Sequence, residues 1–445
     1  MNNKLKKIFF LLGDIMVLHS ALALTLFIRY NLIEGIAGIT PYWRAHWLYF
    51  VVVFIVFLLV FYINNLYSLR QIASIRVFTN NTVKSVIVAS LLTIIYFYVY
   101  PRIDIAPKTN LIIFALAAFF LFLIWRRLAY WLISSNNWQS KLAIVGYDER
   151  IEDLIQELKN KPSLGYQTAL IIKRAEDLSS LGERIKHENI RSLVLASEIG
   201  EDKNWRQALF QLLSYRLNFI SYPDFYEQVY AKIAIESIGQ NWFLENLKEA
   251  HKNYFDFVKR MADTGGALIM LLFSLPFWPL IALVIKLSSR GPVFFSQIRL
   301  GLYGQTFKLY KFRSMKVDNN DGSLTLADDK RITKVGKFLR SSRIDEIPQL
   351  INVIKGEMSF IGPRPERPEL AEELEKVIPF YSTRLLIKPG LTGWDQISGE
   401  YHSPTPADTM KKLQNDLYYI KHRSIYLDLS IMLKTIATML ARRGR

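Results

Sequence analysis

Residues Gly265–Leu287 read GGALIMLLFSLPFWPLIALVIKL, an apolar run interrupted in its middle by Pro276 and Pro279. A helix needs about 20 apolar residues to cross a bilayer core, so this run is long enough. Proline removes helix hydrogen bonds and forces a bend. Both flanks are basic, with Lys259 and Arg260 before the run and Lys286 and Arg290 after it. A plain fifth span, the alternative reading, would put one cluster outside and export the rest of the chain. A bent helix that enters and leaves on the cytoplasmic face satisfies both flanks. Broken backbone at that depth survives only where protein or water shields it. Ser274, Pro276 and Pro279 are therefore expected to mark the break of a re-entrant membrane helix.

Upstream lie four further apolar stretches, Ile8–Ile28, Trp47–Leu66, Val83–Tyr100 and Leu111–Trp125. They predict an α-helical bundle of four spans over residues 1–135; fewer spans with one interfacial helix is the alternative. The first is no cleavable signal peptide, because it lacks a small-residue cleavage pattern and more spans follow. Lys4, Lys6 and Lys7 precede the first span, Arg70, Arg76 and Lys84 flank the next loop on that side, and Arg126 and Arg127 close the fourth. The opposite loops carry fewer cations, Arg29 and Arg44 in one, Arg102 and Lys108 in the other, partly offset by Glu34 and Asp104. The positive-inside tendency puts both ends of the bundle in the cytoplasm, with Trp43, Trp47, Tyr49 and Tyr100 at the outer interface. Composition agrees with a membrane protein: 445 residues, 51% of them hydrophobic, at a net charge of +17. Beside such apolar runs, that charge favours lipid and phosphorylated substrates over nucleic acid. Cysteine is absent, which excludes disulfides and thiolate metal sites, and the scattered histidines lack zinc-ligand spacing.

Between residues 136 and 250 the pattern changes. Apolar runs at Lys141–Gly146, Ala169–Ile172 and Ser192–Ala196 alternate with helical stretches such as Glu149–Leu158. Such alternation predicts a parallel α/β unit of Rossmann-like type, ending near Phe225. A dinucleotide turn needs G-x-G-x-x-G so that backbone can approach the pyrophosphate. Here the turn is Gly146-Tyr147-Asp148-Glu149-Arg150, with two glycines missing and two carboxylates facing the phosphate position. A degenerate, non-binding domain of structural or regulatory use is expected, and a membrane-anchored NAD-dependent sugar epimerase or dehydratase is the runner-up.

The remaining residues, 251–445, carry the chemistry. In Arg340–Gln349, RSSRIDEIPQ, the pair Asp345-Glu346 precedes an apolar stripe of Ile347, Leu350, Ile351 and Ile354. Proline is best tolerated in a first helical turn, so Pro348 places both acids near a helix start, where phosphate binds well. Arg340 and Arg343 lie just upstream. Adjacent carboxylates beside arginines suit phosphoryl transfer, one attacking phosphorus while a cation neutralises charge; capping alone is the bland alternative. Lys311 and Arg313 alternate about Phe312, as on a strand whose basic face meets diphosphate. Arg364 stands between Pro363 and Pro365, which hold its backbone extended and its guanidinium presented. Lys388-Pro389-Gly390 reads as a tight turn, Trp394 as an interfacial anchor, and Ile425–Arg445 as an amphipathic helix on the membrane surface.

The succession Gly291-Pro292-Val293-Phe294-Phe295, Gln297, Arg299, Gly301, Lys311–Met315, Arg340–Gln349, Gly356–Ser359, Gly362–Glu366 and Lys388–Trp394 resembles the bacterial sugar transferases. These are polyprenyl-phosphate hexose-1-phosphate transferases that begin exopolysaccharide, capsule or O-antigen synthesis. The likeness is tight from about Tyr254 to the C-terminus. With four spans and a Rossmann-like insert, the whole is similar to the long, undecaprenyl-phosphate galactose- or glucose-phosphotransferase form. The resemblance implies a mainly helical catalytic domain facing the cytoplasm from the bacterial inner membrane, and a homodimer. It implies that Asp345 attacks the β-phosphate of a UDP-sugar, expels UMP and passes the phosphosugar to undecaprenyl phosphate. Glu346 would position Asp345 and share a Mg²⁺ ion with it, Arg364 would bind nucleotide, and Ser274-Leu275-Pro276 would stand for the family's Ser-Pro break. Direct attack by the lipid phosphate is the competing mechanism. Asp395 and Glu400 depart from the family's Ala and Arg, which bears on the sugar.

Overall fold

A computed structural model describes residues 3–35, 40–67, 75–99, 107–134, 139–174, 181–196, 203–247, 252–316, 329, 331–398 and 405–440. Tyr100, Arg70, Arg102, Asp104, Glu400, Arg442, Arg443 and Arg445 lie outside the described residues, as do the side chains of Lys4 and Lys108. The chain divides into two compact units, Met1–Tyr230 and Ala231–Arg445.

In the first unit, α1 (Asn3–Leu26, continued by a π-helical turn Phe27–Ile33), α2 (Thr40–Ile63), α3 (Ile75–Val99) and α4 (Pro107–Ser134) are each long and apolar enough to cross a membrane. Their shared core is aromatic: Phe57, Phe61, Phe114 and Phe122 are buried together, with Phe61 and Phe122 edge to face at 4.7 Å. Arg126 is not the surface flank expected from its place at the end of an apolar run. It is 1% exposed and ion-paired to Asp14 of α1, while Arg127 is exposed. The Asp14 carboxylate also accepts from Tyr67 Oη at 2.7 Å and Trp125 Nε1 at 2.9 Å. Gly13 gives Trp125 room, since a Cβ there would lie 1.8 Å from its ring. A buried charge is tolerable only when paired and hydrogen-bonded, and this carboxylate is both.

The α/β part follows as β1 (Ser140–Val145), α5 (Glu149–Asn160), β2 (Tyr166–Ile172), α6 (Leu181–Glu188), β3 (Ser192–Leu195), α7 (Lys203–Gln211), β4 (Asn218–Ser221) and α8 (Tyr222–Tyr230). The sheet is parallel with order β2-β1-β3-β4, so the chain reverses direction across β1, where such folds place a ligand crevice. That crevice is closed from within. Asp148 caps α5, its carboxylate accepting from Ile151 N at 2.8 Å and pairing with Arg150 at 2.8 Å. The helix N-terminus that would receive a diphosphate already holds a carboxylate.

The second unit begins with α9 (Gln240–Asn246) and the long α10 (Asn253–Ser274), which passes through one 3-10 turn, Leu275–Phe277, into α11 (Trp278–Ser288). Pro276 sits in that turn and Pro279 in the first turn of α11. Ser274 staples the break: its hydroxyl donates to Leu271 O at 2.9 Å and accepts from Trp278 Nε1 at 3.2 Å. This is the fifth helix long and apolar enough to cross a membrane, and almost none of it is covered by the rest of the chain. Next come an antiparallel hairpin, β5 (Phe294–Leu300) and β6 (Thr306–Phe312), then α12 (Lys334–Ser341), a 3-10 segment Ile344–Gln349, and α13 (Leu350–Lys355). Strand β7 (Ser359–Ile361) pairs in parallel with β8 (Gly390–Thr392), with α14 (Pro368–Val377) between them. The unit ends with α15 (Trp394–Ile397), α16 (Pro406–His422) and α17 (Ile425–Leu440).

Two expectations are corrected here. Gly390 opens a strand rather than a tight turn; it is glycine because a Cβ there would lie 2.1 Å from Gly362 N. Trp394 is no free-standing anchor, for its indole donates to Ala231 O at 3.1 Å and stacks on Tyr418 at 5.4 Å.

Replacing Arg126 by leucine leaves Asp14 buried and unpaired, and should cost about 3–5 kcal/mol of stability. Thermal unfolding in detergent checks this, and the double change Asp14→Leu with Arg126→Leu should recover most of the loss.

Candidate active site

Three segments meet around the two acids. Strand β6 brings Lys311, the 3-10 segment brings Asp345 and Glu346, and the turn after β7 brings Arg364. The acids open the 3-10 segment because Arg343 before them adopts a left-handed conformation (φ 58°), which ends α12 and turns the chain. Pro348 lies inside this 3-10 segment, two residues before α13 begins, rather than in a first helical turn. Asn352, fully buried, locks α13 to β6: its amide donates to Lys308 O at 2.8 Å and accepts from Tyr310 N at 3.2 Å. Behind α13, Arg260 of α10 donates to the carbonyls of Val353 at 2.6 Å and Ile354 at 2.7 Å. These are carbonyls of the helix end, where Val353 O also accepts from the capping Gly356 N at 3.0 Å, and a guanidinium fork suits two of them.

Glu346 is the electrostatic centre. Its carboxylate pairs with Lys311 at 3.4 Å, Arg343 at 3.2 Å and Arg364 at 3.2 Å. Burial works to raise its pKa, but Arg364, Lys311 and Arg343 outweigh burial and hold it well below the usual carboxylate range. Asp345 behaves in the opposite way. It is 7% exposed and, among the described residues, makes no hydrogen bond or ion pair. Burial, then the charge of Glu346, push it up to about 6 against the pull of Lys311, Arg340 and Arg364. Two neighbouring carboxylates thus take different parts, one clamped and ionised, the other unengaged and more basic.

The other residues singled out from sequence are distributed unevenly. Arg340 acts on Asp345 through its charge alone. Pro363 and Pro365 flank Arg364 as expected, and Arg364 remains the most exposed member of the cluster. Arg313 is apart from the acids: it is buried just past β6 and donates to Ser289 O at 2.7 Å, at the end of α11. Asp395 accepts from Asn415 Nδ2 at 3.0 Å, a structural tie within the unit.

Sequence reading missed the support behind the Pro-Arg-Pro segment. Arg384, 6% exposed, donates to Arg364 O at 3.0 Å and Tyr381 Oη at 2.7 Å and pairs with buried Asp416 at 2.8 Å. Arg299 donates to Pro365 O at 3.1 Å, and Glu366 lies 3.8 Å from both arginines. Burial pushes Asp416 up to about 7 even against the pull of Arg384. The backbone at Arg364 and Pro365 is therefore held from behind by buried Arg384 and half-buried Arg299 while the Arg364 side chain faces Glu346. One available signal was the presence of charges in stretches that otherwise read as helical core.

The motifs that converge here lie in a segment with known relatives. A model of the family described as bacterial sugar transferase matches residues 254–442. A protein of Escherichia coli (strain K12) named UDP-glucose:undecaprenyl-phosphate glucose-1-phosphate transferase is 32% identical over 319 residues, 69% of this chain and 69% of the relative. The chain belongs to the bacterial sugar transferase family. A protein of the same name from Xanthomonas campestris pv. campestris is 35% identical over 321 residues, 70% of this chain. A UDP-N-acetylgalactosamine-undecaprenyl-phosphate N-acetylgalactosaminephosphotransferase from Aeromonas hydrophila is 36% identical over 292 residues, 64% of this chain. The matches span 63% of the length of each of these last two relatives. A second family model, described as a CoA-binding domain, matches residues 60–189, from the end of α2 through α3 and α4 to the first two strands and α6. As a bacterial sugar transferase, the chain therefore joins the family's catalytic segment to an α/β domain with a self-capped crevice.

Two outcomes are expected. If ionised Asp345 is required, kcat/KM should fall about tenfold per pH unit below about 6, the value burial and Glu346 impose. Glu346→Gln removes the like charge, so the acid limb of its remaining activity should move to lower pH; a pH–rate profile of both proteins reads this. Arg384→Met strands Asp416 and frees the backbone of Arg364. It should cost about 3–5 kcal/mol in unfolding measurements and lower turnover by roughly tenfold or more.

Proposed function

We propose that this bacterial sugar transferase moves a hexose-1-phosphate from a UDP-sugar to undecaprenyl phosphate, with release of UMP, and so initiates exopolysaccharide, capsule or O-antigen synthesis. The observation that carries the reading is the division of labour between the acids: Asp345 is buried and unengaged beside Glu346, which three cations clamp. A carboxylate without partners is a competent nucleophile, and cations next to it can take up charge on a transferring phosphoryl group. The names of the relatives support a UDP-sugar donor and an undecaprenyl-phosphate acceptor.

The reaction runs in two displacements. An oxygen of Asp345 attacks the β-phosphorus, a P–O bond to Asp345 forms, and the bond to the UMP oxygen breaks with its electron pair leaving on UMP. An oxygen of the lipid phosphate then attacks the same phosphorus, forming the lipid diphosphate and returning the carboxylate of Asp345. Lys311, Arg343 and Arg364 hold Glu346 and face the diphosphate. Asp345 and Glu346 fit a Mg²⁺ ion, since that ion is usually bound by one or two carboxylates plus substrate phosphates, and the Asp345 oxygens have no other partner. When bound, it would neutralise phosphate charge.

In this reading α1 to α4 cross the bacterial inner membrane with both ends cytoplasmic, and α10–α11 re-enters from the cytoplasmic face. Ser274, Pro276 and Pro279 form the break, and the exposed apolar sides of that helix and of α17 meet lipid. The α/β domain is structural or regulatory, because Asp148 occupies the position a diphosphate would need. That cap also removes support from an NAD-dependent epimerase. A homodimer is part of the proposal, and nucleic acid is not a partner. The relatives differ in their sugar, so glucose, galactose and N-acetylated hexoses all stand as donors.

The test uses the full chain in lipid nanodiscs with undecaprenyl phosphate, Mg²⁺ and a panel of UDP-sugars. UMP should appear with at least one sugar and vanish in Asp345→Asn. Without the lipid acceptor, intact-protein mass should rise by one sugar phosphate in wild type only. Release of UDP would make this an ordinary glycosyltransferase, and UMP release with no mass change would mean direct attack by the lipid phosphate.

A further inference from the structure

The hairpin of β5 and β6 turns one face to the reaction centre. Phe295 of β5 stands directly opposite Lys311 of β6, so the two side chains share that face. Lys311 pairs with Glu346 at 3.4 Å, which puts Phe295 beside the cations of the site. Alternation along β5 places Gln297 and Arg299 on the same face. The opposite face packs on α11, where Phe294 stacks on Phe312 at 5.4 Å and lies 5.7 Å from Trp278.

Two features of the face towards Lys311 point to a ligand. Phe295 is 40% exposed and, among the described residues, its ring pairs with no other aromatic ring. Its neighbours on that face are two cations and an amide, which suit a flat polar ring better than a lipid chain. Gln297 is half-buried, and Arg299 sets its orientation by donating to Gln297 Oε1 at 2.7 Å. A guanidinium only donates, so the amide must give its oxygen to Arg299 and turn its NH2 group away. That NH2 group has no partner among the described residues. The other arm of Arg299 donates to Pro365 O at 3.1 Å, so one fork ties the amide to the Pro-Arg-Pro segment.

From this we infer that Phe295 and Gln297 read the uracil base of the donor, the base stacking on Phe295 while Gln297 Nε2 donates to its O4 carbonyl. The inference rests on the phosphosugar-transfer reading and adds to it the residues that choose the nucleotide. Residues two apart on a strand lie about 7 Å apart on one face, so a base stacked on Phe295 brings an edge to Gln297. Lys311 and Arg364 are then on the side of the diphosphate. A donor at that edge fits uracil, which carries a carbonyl there. Cytosine carries an amino group instead, and two donors would face each other.

The test follows UMP release from the preferred UDP-sugar by the full chain in nanodiscs, with UDP and CDP as inhibitors. Wild type should bind UDP about tenfold more tightly than CDP, the effect of one hydrogen bond. Phe295→Leu should weaken inhibition by both nucleotides about tenfold, as loss of base stacking does, while KM for undecaprenyl phosphate stays within about twofold. Phe295→Tyr, which restores the ring, should recover most of the lost affinity, and this separates stacking from misfolding. Gln297→Glu keeps an oxygen for Arg299 and removes the donor, so UDP and CDP should come within about twofold of each other. Unchanged UDP inhibition in Phe295→Leu would overturn the inference. So would equal binding of UDP and CDP to wild type, or a rise in KM for undecaprenyl phosphate alone, which marks a lipid contact. These three outcomes leave the transfer reading intact, whereas a wild-type protein that releases UMP from no sugar removes both.

Discussion

The catalytic unit is organised by one guanidinium. Arg260, near the start of an apolar helix, bonds carbonyls at the end of α13, the short helix that continues directly from the 3-10 segment holding Asp345 and Glu346. Neighbouring side chains of α10 act in the same way. Lys259 pairs with Asp428 of α17 at 2.5 Å, and Asp263 accepts from the backbone of Phe360 in β7 at 3.3 Å. Three side chains within little more than one turn of one helix thereby fix three elements that border the site. Because a planar fork bonds two helix-end carbonyls at once, beside the Gly356 N–H that also reaches Val353 O, this joint is held in one geometry where a lysine would leave slack. The apolar helix and the reaction centre then behave as a single body.

On that frame, charge is distributed rather than balanced pair by pair. Glu346 pairs with Lys311, Arg343 and Arg364, which leaves Asp345 with burial and a like charge as the influences that raise it, against the more distant pull of Arg340, Lys311 and Arg364. A nucleophile tied up by salt bridges would be less basic and would have to break them before reacting. Here the cost of holding a carboxylate in a dry place falls on Asp345, and the geometry is maintained through its neighbour. Farther out, Arg384 and Arg299 stiffen the backbone on either side of Arg364, so its guanidinium is mobile only at its tip.

Much of this architecture was legible because periodicity and composition act locally. The long apolar runs, the proline break, the first three parallel strands and the start of the 3-10 segment at Asp345 all follow from neighbours in sequence. Strand β4, Asn218–Ser221, was not seen, for it is four residues long and only partly buried, without the apolar run that marked the others. Arg126 looked like a flank because nothing near it in sequence announces Asp14, more than a hundred residues earlier. Arg384 and Asp416 were missed for the same reason. Their meaning lies in a contact between a 3-10 turn and α16, which no local pattern encodes. Lys311 and Arg313 show the limit of strand alternation: the strand stops at Phe312, and the second cation turns away to Ser289. Gly390 was read as a turn because Lys-Pro-Gly usually is one, whereas here the missing side chain admits a second backbone.

The uncovered apolar surface of α10–α11 has a consequence for how the protein is made. Synthesis runs from the N-terminus, so this helix leaves the ribosome before Asp345, Glu346 and Arg364 do. Arg260 must wait for carbonyls that are 93 and 94 positions further along the chain. During that interval a long greasy helix with almost no covering from its own chain has one stable place to be, the lipid. Anchoring therefore precedes activity during biosynthesis, and the acids are assembled on a helix already in position.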